Sequence, residues 1–298
     1  MMKIAFSLLV STLSVVMANS NILLQPPAVA SPKAEIGVVW INGALCSTES
    51  YKKIAVAFQN EAAANGIKAW VDIPSFVFET PEPMEMTSAI NTAKSAMTDA
   101  GFKGKFYVAS HSLGTVQIQS FLEKNPDAFE ASIMMGGGLT REKYVNDNST
   151  GLTVINHTPS LSIFGSKDGL YRISRAAEAY YHQVENIDPK YKNKHGVVVI
   201  EGGSHGTFMD ETMLSTFVYD NDLNPEIDQT TGHKTIATAM VTFLKSRLGE
   251  FENDAEGLEA HLNAAGDFLA PLIEGMKEEG SYFIKIPCYN ISTINPDW

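Results

Sequence analysis

Short apolar, β-branched runs alternate along the chain with longer stretches in which apolar positions recur at helical spacing. The runs lie near Ile36, Ile67, Phe106, Ala131, Leu161 and Val197. Helical spacing marks Tyr51 to Ala64, Ser88 to Asp99, Thr115 to Leu122, Ser174 to Val184 and Thr235 to Leu248. Such alternation predicts βαβ units: an α/β fold with a mainly parallel central sheet and helices on both faces. No internal repeat or low-complexity linker interrupts it.

Three segments fall outside this pattern. Lys3 precedes an almost wholly apolar run from Ile4 to Ala18, and small-residue cleavage options follow at Ala18-Asn19-Ser20 and Ala28-Val29-Ala30. Residues 1–30 read as an export signal, with an uncleaved N-terminal anchor as the alternative, and the expected location is secreted or extracytoplasmic. The body of the fold is expected over 34–250. Met209 to His233 is rich in Asp and Asn and lacks clear periodicity, which predicts an acidic solvated loop or a mobile loop near the site. Residues 251–298 start as an amphipathic helix (Leu258, His261, Leu262, Ala265) and end irregularly, as an extension that caps the core or covers the site.

Composition narrows the class. Hydrophobic residues make up 44% and charged residues 19%, the balance of a soluble globular enzyme. A net charge of −12 argues against nucleic acid or an anionic membrane as a partner. In an oxidising compartment Cys46 and Cys288 invite a disulfide between the tail and the loop after the first long strand, with two free thiols as the alternative. Asn148, Asn156 and Asn290 fit the N-glycosylation pattern, which matters in a eukaryotic secretory pathway.

The chemistry concentrates at the ends of three apolar runs. Lys105 to Gly114 reads Lys-Phe-Tyr-Val-Ala-Ser-His-Ser-Leu-Gly, a strand breaking into a small-residue turn with Ser112 at its apex. A serine that attacks a carbonyl has to stand clear of its own backbone, and a tight strand-to-helix turn permits this when the residues two before and two after are small. Here they are Ser110 and Gly114, the first in a place usually held by glycine. Ser160 to Phe164 ends in Gly165-Ser166-Lys167-Asp168-Gly169, and Gly196 to Ile200 leads through Glu201-Gly202-Gly203-Ser204 to His205. The order Ser112, Asp168, His205 is that of nucleophile, acid and base in a strand-end triad. His111 is expected to pack behind the serine, and His157, His182, His195, His233 and His261 to take solvated positions. Gly136-Gly137-Gly138 is not followed by Gly-Lys-Ser/Thr, so it reads as the flexible end of the strand Ala131 to Met135, leaving room at a site mouth.

The segments Ser110-His111-Ser112-Leu113-Gly114, Gly165 to Leu170 and Gly202-Gly203-Ser204-His205 resemble landmarks of the α/β-hydrolase superfamily, most of all its compact esterase, lipase and dienelactone-hydrolase-like branches. The likeness runs from about Ile36 to Leu248. It implies an α/β-hydrolase fold and, at Asn42-Gly43-Ala44, an oxyanion site made by the backbone N–H groups of Ala44 and Leu113. It implies a serine hydrolase acting on carboxylic esters through an acyl-enzyme on Ser112. No metal or organic cofactor is signalled. Phe76, Val77, Phe78, Pro81, Pro83, Met84 and Met86, with Tyr171, Phe208 and Met209, favour a small-molecule or lipid ester with an apolar group. A thioesterase, amidase or peptidase would use the same residues, and some hydrolase folds serve as binding modules without turnover.

Overall fold

The computed structural model of the protein describes residues 20–140, 158–187, 191, 194–251 and 255–278. The chain runs β1 (Ile22–Leu24), β2 (Ala34–Ile41), α1 (Lys52–Ala64), β3 (Ile67–Ile73), α2 (Pro83–Asp99), β4 (Lys105–His111) and α3 (Leu113–Lys124). It continues through β5 (Ser132–Met135), β6 (Ser160–Gly165), α4 (Ile173–Tyr180), β7 (His195–Ile200), α5 (Thr216–Asn221), α6 (Gln229–Lys245) and α7 (Ala255–Glu278). The strands form one seven-stranded sheet in the order β1-β3-β2-β4-β5-β6-β7. All neighbours are parallel except β1, which runs antiparallel to β3.

Six of the seven strands are the apolar runs of the sequence. Their side chains alternate between two cores, as a period of two requires. Along β2, Ile36, Val38 and Trp40 meet Ile54 and Phe58 of α1 and are part of the same core as Ile236, Met240 and Phe243 of α6. Val39 and Ile41 belong to the opposite core, with Met86, Ile90 and Met97 of α2 and Ile118 and Leu122 of α3. Each such side chain taken fully out of water stabilises the fold by about 1.5–3 kcal/mol. The helices on both faces are therefore held chiefly by this burial.

The two sheet edges are closed differently. β1 is a three-residue edge strand lying inside the span read as an export signal. Its Asn21 neighbour donates from Nδ2 to Asp72 Oδ1 at 3.3 Å and accepts the Ser75 N–H at 3.0 Å. At the other edge α7 contributes Leu258 and Leu262 to one core and Leu269 and Ile273 to a third cluster with Phe164, Ala177 and Val197. This helix packs against β7, the last strand of the sheet, with Leu262 beside Gly196. Of the C-terminal extension, the described helix α7 packs on the core. No helix among the described residues is long and apolar enough to cross a membrane.

Two histidines expected in solvent are buried: His195 and His233 are 2% and 4% exposed. His195 opens β7, a strand covered on both faces, and its Nδ1 lies 2.8 Å from Ser160 Oγ. His233 stands inside α6, which begins earlier than its apolar periodicity because Asp228 caps it by accepting the Thr231 N–H. The acidic stretch before it is not a plain loop either. It holds α5, and Met209 is fully buried.

Asp72 is wholly buried in β3, and burial pushes its carboxyl up to about 6 from an ordinary value near 3.8. A raised carboxyl pKa disfavours the ionised folded state, so the penalty grows as pH rises from about 4 to 6 and reaches about 3 kcal/mol. His195, lowered to about 4 mainly by burial, works in the opposite direction over the same window, so the parent's own pH curve blends the two. In urea denaturation, the stability of Asp72→Asn relative to the parent should therefore improve by up to about 3 kcal/mol between pH 4 and 6.5. A difference that does not change with pH would contradict the buried, strained carboxylate.

Candidate active site

Because β2 to β7 are parallel, the loops leaving their C-terminal ends meet at one edge of the sheet. Ser112 stands there between β4 and α3 with φ 51° and ψ −122°, a left-handed conformation that a non-glycine residue adopts only under constraint. The constraint is visible on both sides. The Ser112 N–H donates to Met135 O at 3.0 Å, and its own carbonyl accepts the Thr115 N–H at 3.0 Å. Gly114 lies so close to the Asn42 carbonyl that a Cβ there would collide with backbone. Ser110, in the position usually glycine, is fully buried, and its hydroxyl finds Thr115 Oγ1 at 3.2 Å and Ile133 O at 3.3 Å.

His205 and Asp168 arrive from the ends of β7 and β6. His205 Nε2 lies 2.9 Å from Ser112 Oγ, and its Nδ1 lies 2.8 Å from Asp168 Oδ2. The partners fix the tautomer: Nδ1–H donates to the carboxylate, and Nε2 accepts from the hydroxyl. Asp168 is held in turn, because its Oδ1 accepts the N–H groups of Leu170 and Tyr171 at 2.9 and 2.6 Å. Both residues are nearly sealed from solvent, 3% and 2% exposed, so their interaction acts through little screening water. His205 also opens a short 3₁₀ turn capped by Ser204, whose N–H donates to Thr207 Oγ1 at 2.9 Å.

Behind His205 lies His111, its ring centroid 4.6 Å away. Gly43 N–H donates to Tyr51 Oη at 2.8 Å, which leaves the Tyr51 hydroxyl to donate to His111 Nδ1, also at 2.8 Å. Burial, reinforced by the nearby His205, holds the His111 imidazole well below its usual range. His111 is accordingly a neutral shelf, packed between Tyr51, Phe208 and His205. Gly136 completes the shelf at φ 51°, where a Cβ would stand 2.9 Å from His111 Nε2 and 3.1 Å from His205 Cε1. The triglycine run is buried instead of forming a flexible strand end: Gly136 makes room for the histidine pair, while Gly137 packs on Thr115 and Gly138 on Phe164 and Ser162.

The Asn42–Ala44 turn sits directly over the start of α3. A Cβ on Gly43 would lie 3.1 Å from Ser112 Cβ. Leu113 is the first residue of α3, so its N–H has no acceptor within the helix. Ala44 is half-buried in the adjoining turn, which Asn42 Nδ2 ties off by donating to Cys46 O at 3.2 Å. Cys46 is buried beside Met209, with its Sγ 3.7 Å from the thioether sulfur. Burial pushes its thiol up to about 11, so it stays protonated at neutral pH and is no nucleophile there. The pairing of Cys46 with Cys288, the three glycosylation sites and His157 fall outside the described residues.

The apolar residues nominated from the sequence divide. Phe76, Met86, Phe208 and Met209 are buried in the fold, while Val77, Phe78 and Met84 face solvent. Leu45, which sequence reading did not nominate, joins the exposed group. Its N–H donates to Thr80 Oγ1 at 3.2 Å, which brings it beside Phe78. Leu45, Phe78 and Glu79 all have φ near 55°. Tyr51 was also missed, since an aromatic at a helix start carries no distinctive signal. Among the described residues, no group of three or more His, Cys, Asp or Glu side chains is placed to hold a metal ion.

Comparison with known proteins agrees at the level of family. The alpha/beta hydrolase family model matches residues 37–212, more than half of the chain. Among solved structures, Est1E from Butyrivibrio proteoclasticus with ferulic acid bound is 14% identical, with a TM-score of 0.47 over 76% of this chain and 95% of that one. A predicted CIB-like hydrolase from Thermoplasma acidophilum is 13% identical, with a TM-score of 0.46 over 76% of this chain and 94% of that one. A search of curated proteins found no match. With the span of the family match enclosing the Ser112 turn, Asp168 and His205, the chain belongs to the alpha/beta hydrolase family.

Proposed function

We propose that the protein is a serine hydrolase of carboxylic esters. The observation that carries this is the unbroken line from Ser112 Oγ through His205 to Asp168 at 2.9 and 2.8 Å. In this reading His205 Nε2 takes the hydroxyl proton as Ser112 attacks the ester carbonyl, then returns it to the leaving alcohol. Asp168 keeps the imidazole in the correct tautomer and favours the imidazolium that forms. The N–H groups of Ala44 and Leu113 receive the developing oxyanion, and such a donor is worth about 3 kcal/mol of barrier. Water then releases the acid from the acyl-enzyme by the same proton route reversed. Export is part of the proposal. Only cleavage at Ala18-Asn19-Ser20 leaves β1 in the sheet, so sequencing of exported protein should find a mature chain that retains Asn21; a start beyond Ala30 would refute that boundary.

The rim supports an apolar substrate. Leu45 is 54% and Phe78 79% exposed on loops leaving the same sheet edge as Ser112, and Met84, 89% exposed, stands in the first turn of α2. Two of them are held outward in left-handed backbones, each costing about 1–3 kcal/mol. A fold retains such strain where function uses it.

Two measurements check this. Ser112→Ala should lower turnover of p-nitrophenyl esters by about 10³-fold or more; retention of most activity would end the proposal, and thioester and amide substrates in the same panel test the neighbouring chemistries. Replacing Leu45 and Phe78 together by Gly should cut kcat/KM for an octanoyl ester about 10-fold while an acetyl ester changes little. Because glycine relieves both left-handed backbones, melting temperature should not fall. Equal losses on both esters would show that these side chains do not read the substrate.

A further inference from the structure

The sequence predicts the stretch from Met209 to His233 as an acidic solvated loop or a mobile loop near the site, and it contains one carboxylate with an unusual set of partners. Asp222 closes α5, its N–H donating to Val218 O at 2.8 Å. One of its oxygens, Oδ1, accepts the Gly169 N–H at 2.9 Å, and the other, Oδ2, accepts the Gly206 N–H at 2.8 Å. Gly169 directly follows Asp168, and Gly206 directly follows His205. A single half-buried carboxylate therefore touches the backbone immediately after Asp168 and immediately after His205, one oxygen to each turn.

The two turns are already joined nearer the sheet. Lys167 N–H donates to Gly203 O at 2.8 Å, and Gly202 N–H to Ser166 Oγ at 2.8 Å. Further along, the α5 strap reaches both turns through Asp222. Glu226 ties the strap down again, donating its N–H to Gly202 O at 2.7 Å and pairing with Lys167 Nζ at 2.6 Å. Packing contributes beside these bonds: a Cβ on Gly169 would collide with the Asn221 carbonyl, and one on Gly206 would stand 3.0 Å from Leu214. Val218 is the one buried residue of α5, and a cavity of about 410 Å3 lined by Leu214, Tyr219, Leu223 and Ile227 lies beside the contact.

We infer that Asp222 is a positioning residue, whose carboxylate sets the separation of the Asp168 and His205 turns and so the 2.8 Å contact between their side chains. The inference rests on the serine hydrolase reading, in which that contact orients the base. It does not require Asp222 to touch substrate. Charged acceptors bind N–H donors about twice as strongly as neutral ones, and only a carboxylate offers two equivalent oxygens at this spacing. Its loss would free both turns to shift, and a misplacement of about 1 Å can cost about 100-fold in rate.

The experiment compares the parent with Asp222→Ala and Asp222→Asn in two readouts. The Asn variant keeps the shape but can accept from only one of the two N–H groups, so it remains informative even where Ala compromises folding. Amide hydrogen exchange at Gly169 and Gly206 should speed up in Ala at both positions and in Asn mainly at one. On an ester substrate, kcat should fall about 10- to 100-fold in Ala and less in Asn, with KM held within about twofold. Unchanged exchange would overturn the clamp, and faster exchange with unchanged kcat would overturn its positioning role. A loss shared by kcat, KM and melting temperature would mark Asp222 as a general stabiliser and overturn it equally. A parent chain inactive on every ester would instead defeat the hydrolase reading, and the exchange result would still decide the clamp.

Discussion

A left-handed serine between a parallel strand and a helix is the constraint on which the rest of this site depends. At φ 51°, Ser112 carries a backbone cost of about 1–3 kcal/mol that its surroundings must offset. They do so through the buried ends of β4 and β5, the N-terminal turn of α3, and a glycine at 114 that lets α3 approach the Asn42 carbonyl. The reward is geometric. The hydroxyl projects from the sheet edge toward His205, while the Leu113 N–H, unused by its helix, remains beside the Asn42–Ala44 turn.

Everything else at the edge holds His205 in register with that hydroxyl. Asp168 reaches it from one side at 2.8 Å, and the neutral His111 ring supports it from behind. Tyr51 links that ring to Gly43 and hence to the turn carrying Ala44, so the shelf under the imidazole and the proposed oxyanion donors share one buried hydroxyl. Gly43 and Tyr51 thereby join the turn after β2 to the His111 ring at the end of β4.

Much of this was legible in the sequence, for a definite reason. Fully covered parallel strands are continuous apolar runs, and the turns at their ends must be small and polar. Ser112, Asp168 and His205, which the geometry brings together, therefore stood at visible punctuation. What stayed hidden obeys longer-range rules. The β1 strand is three residues in an apolar stretch that also reads as an export signal, and only its antiparallel pairing with β3 distinguishes it. His195 and His233 look polar in one dimension and are buried in three, because β7 is covered on both faces and α6 starts at an Asp228 cap. Asp222 is one acid among several. Its meaning lies in two N–H groups, 53 and 16 residues away.

The claim at the centre of this account is that Ser112 is a nucleophile activated by His205. Its most direct measurement is peptide-resolved mass spectrometry after exposure of the intact protein to a fluorophosphonate. One covalent adduct is expected, on the peptide bearing Ser112, absent from Ser112→Ala and formed far more slowly in His205→Ala. An adduct on another residue, or a chain that hydrolyses esters while Ser112 stays unmodified and its activity unaffected by the reagent, would contradict it.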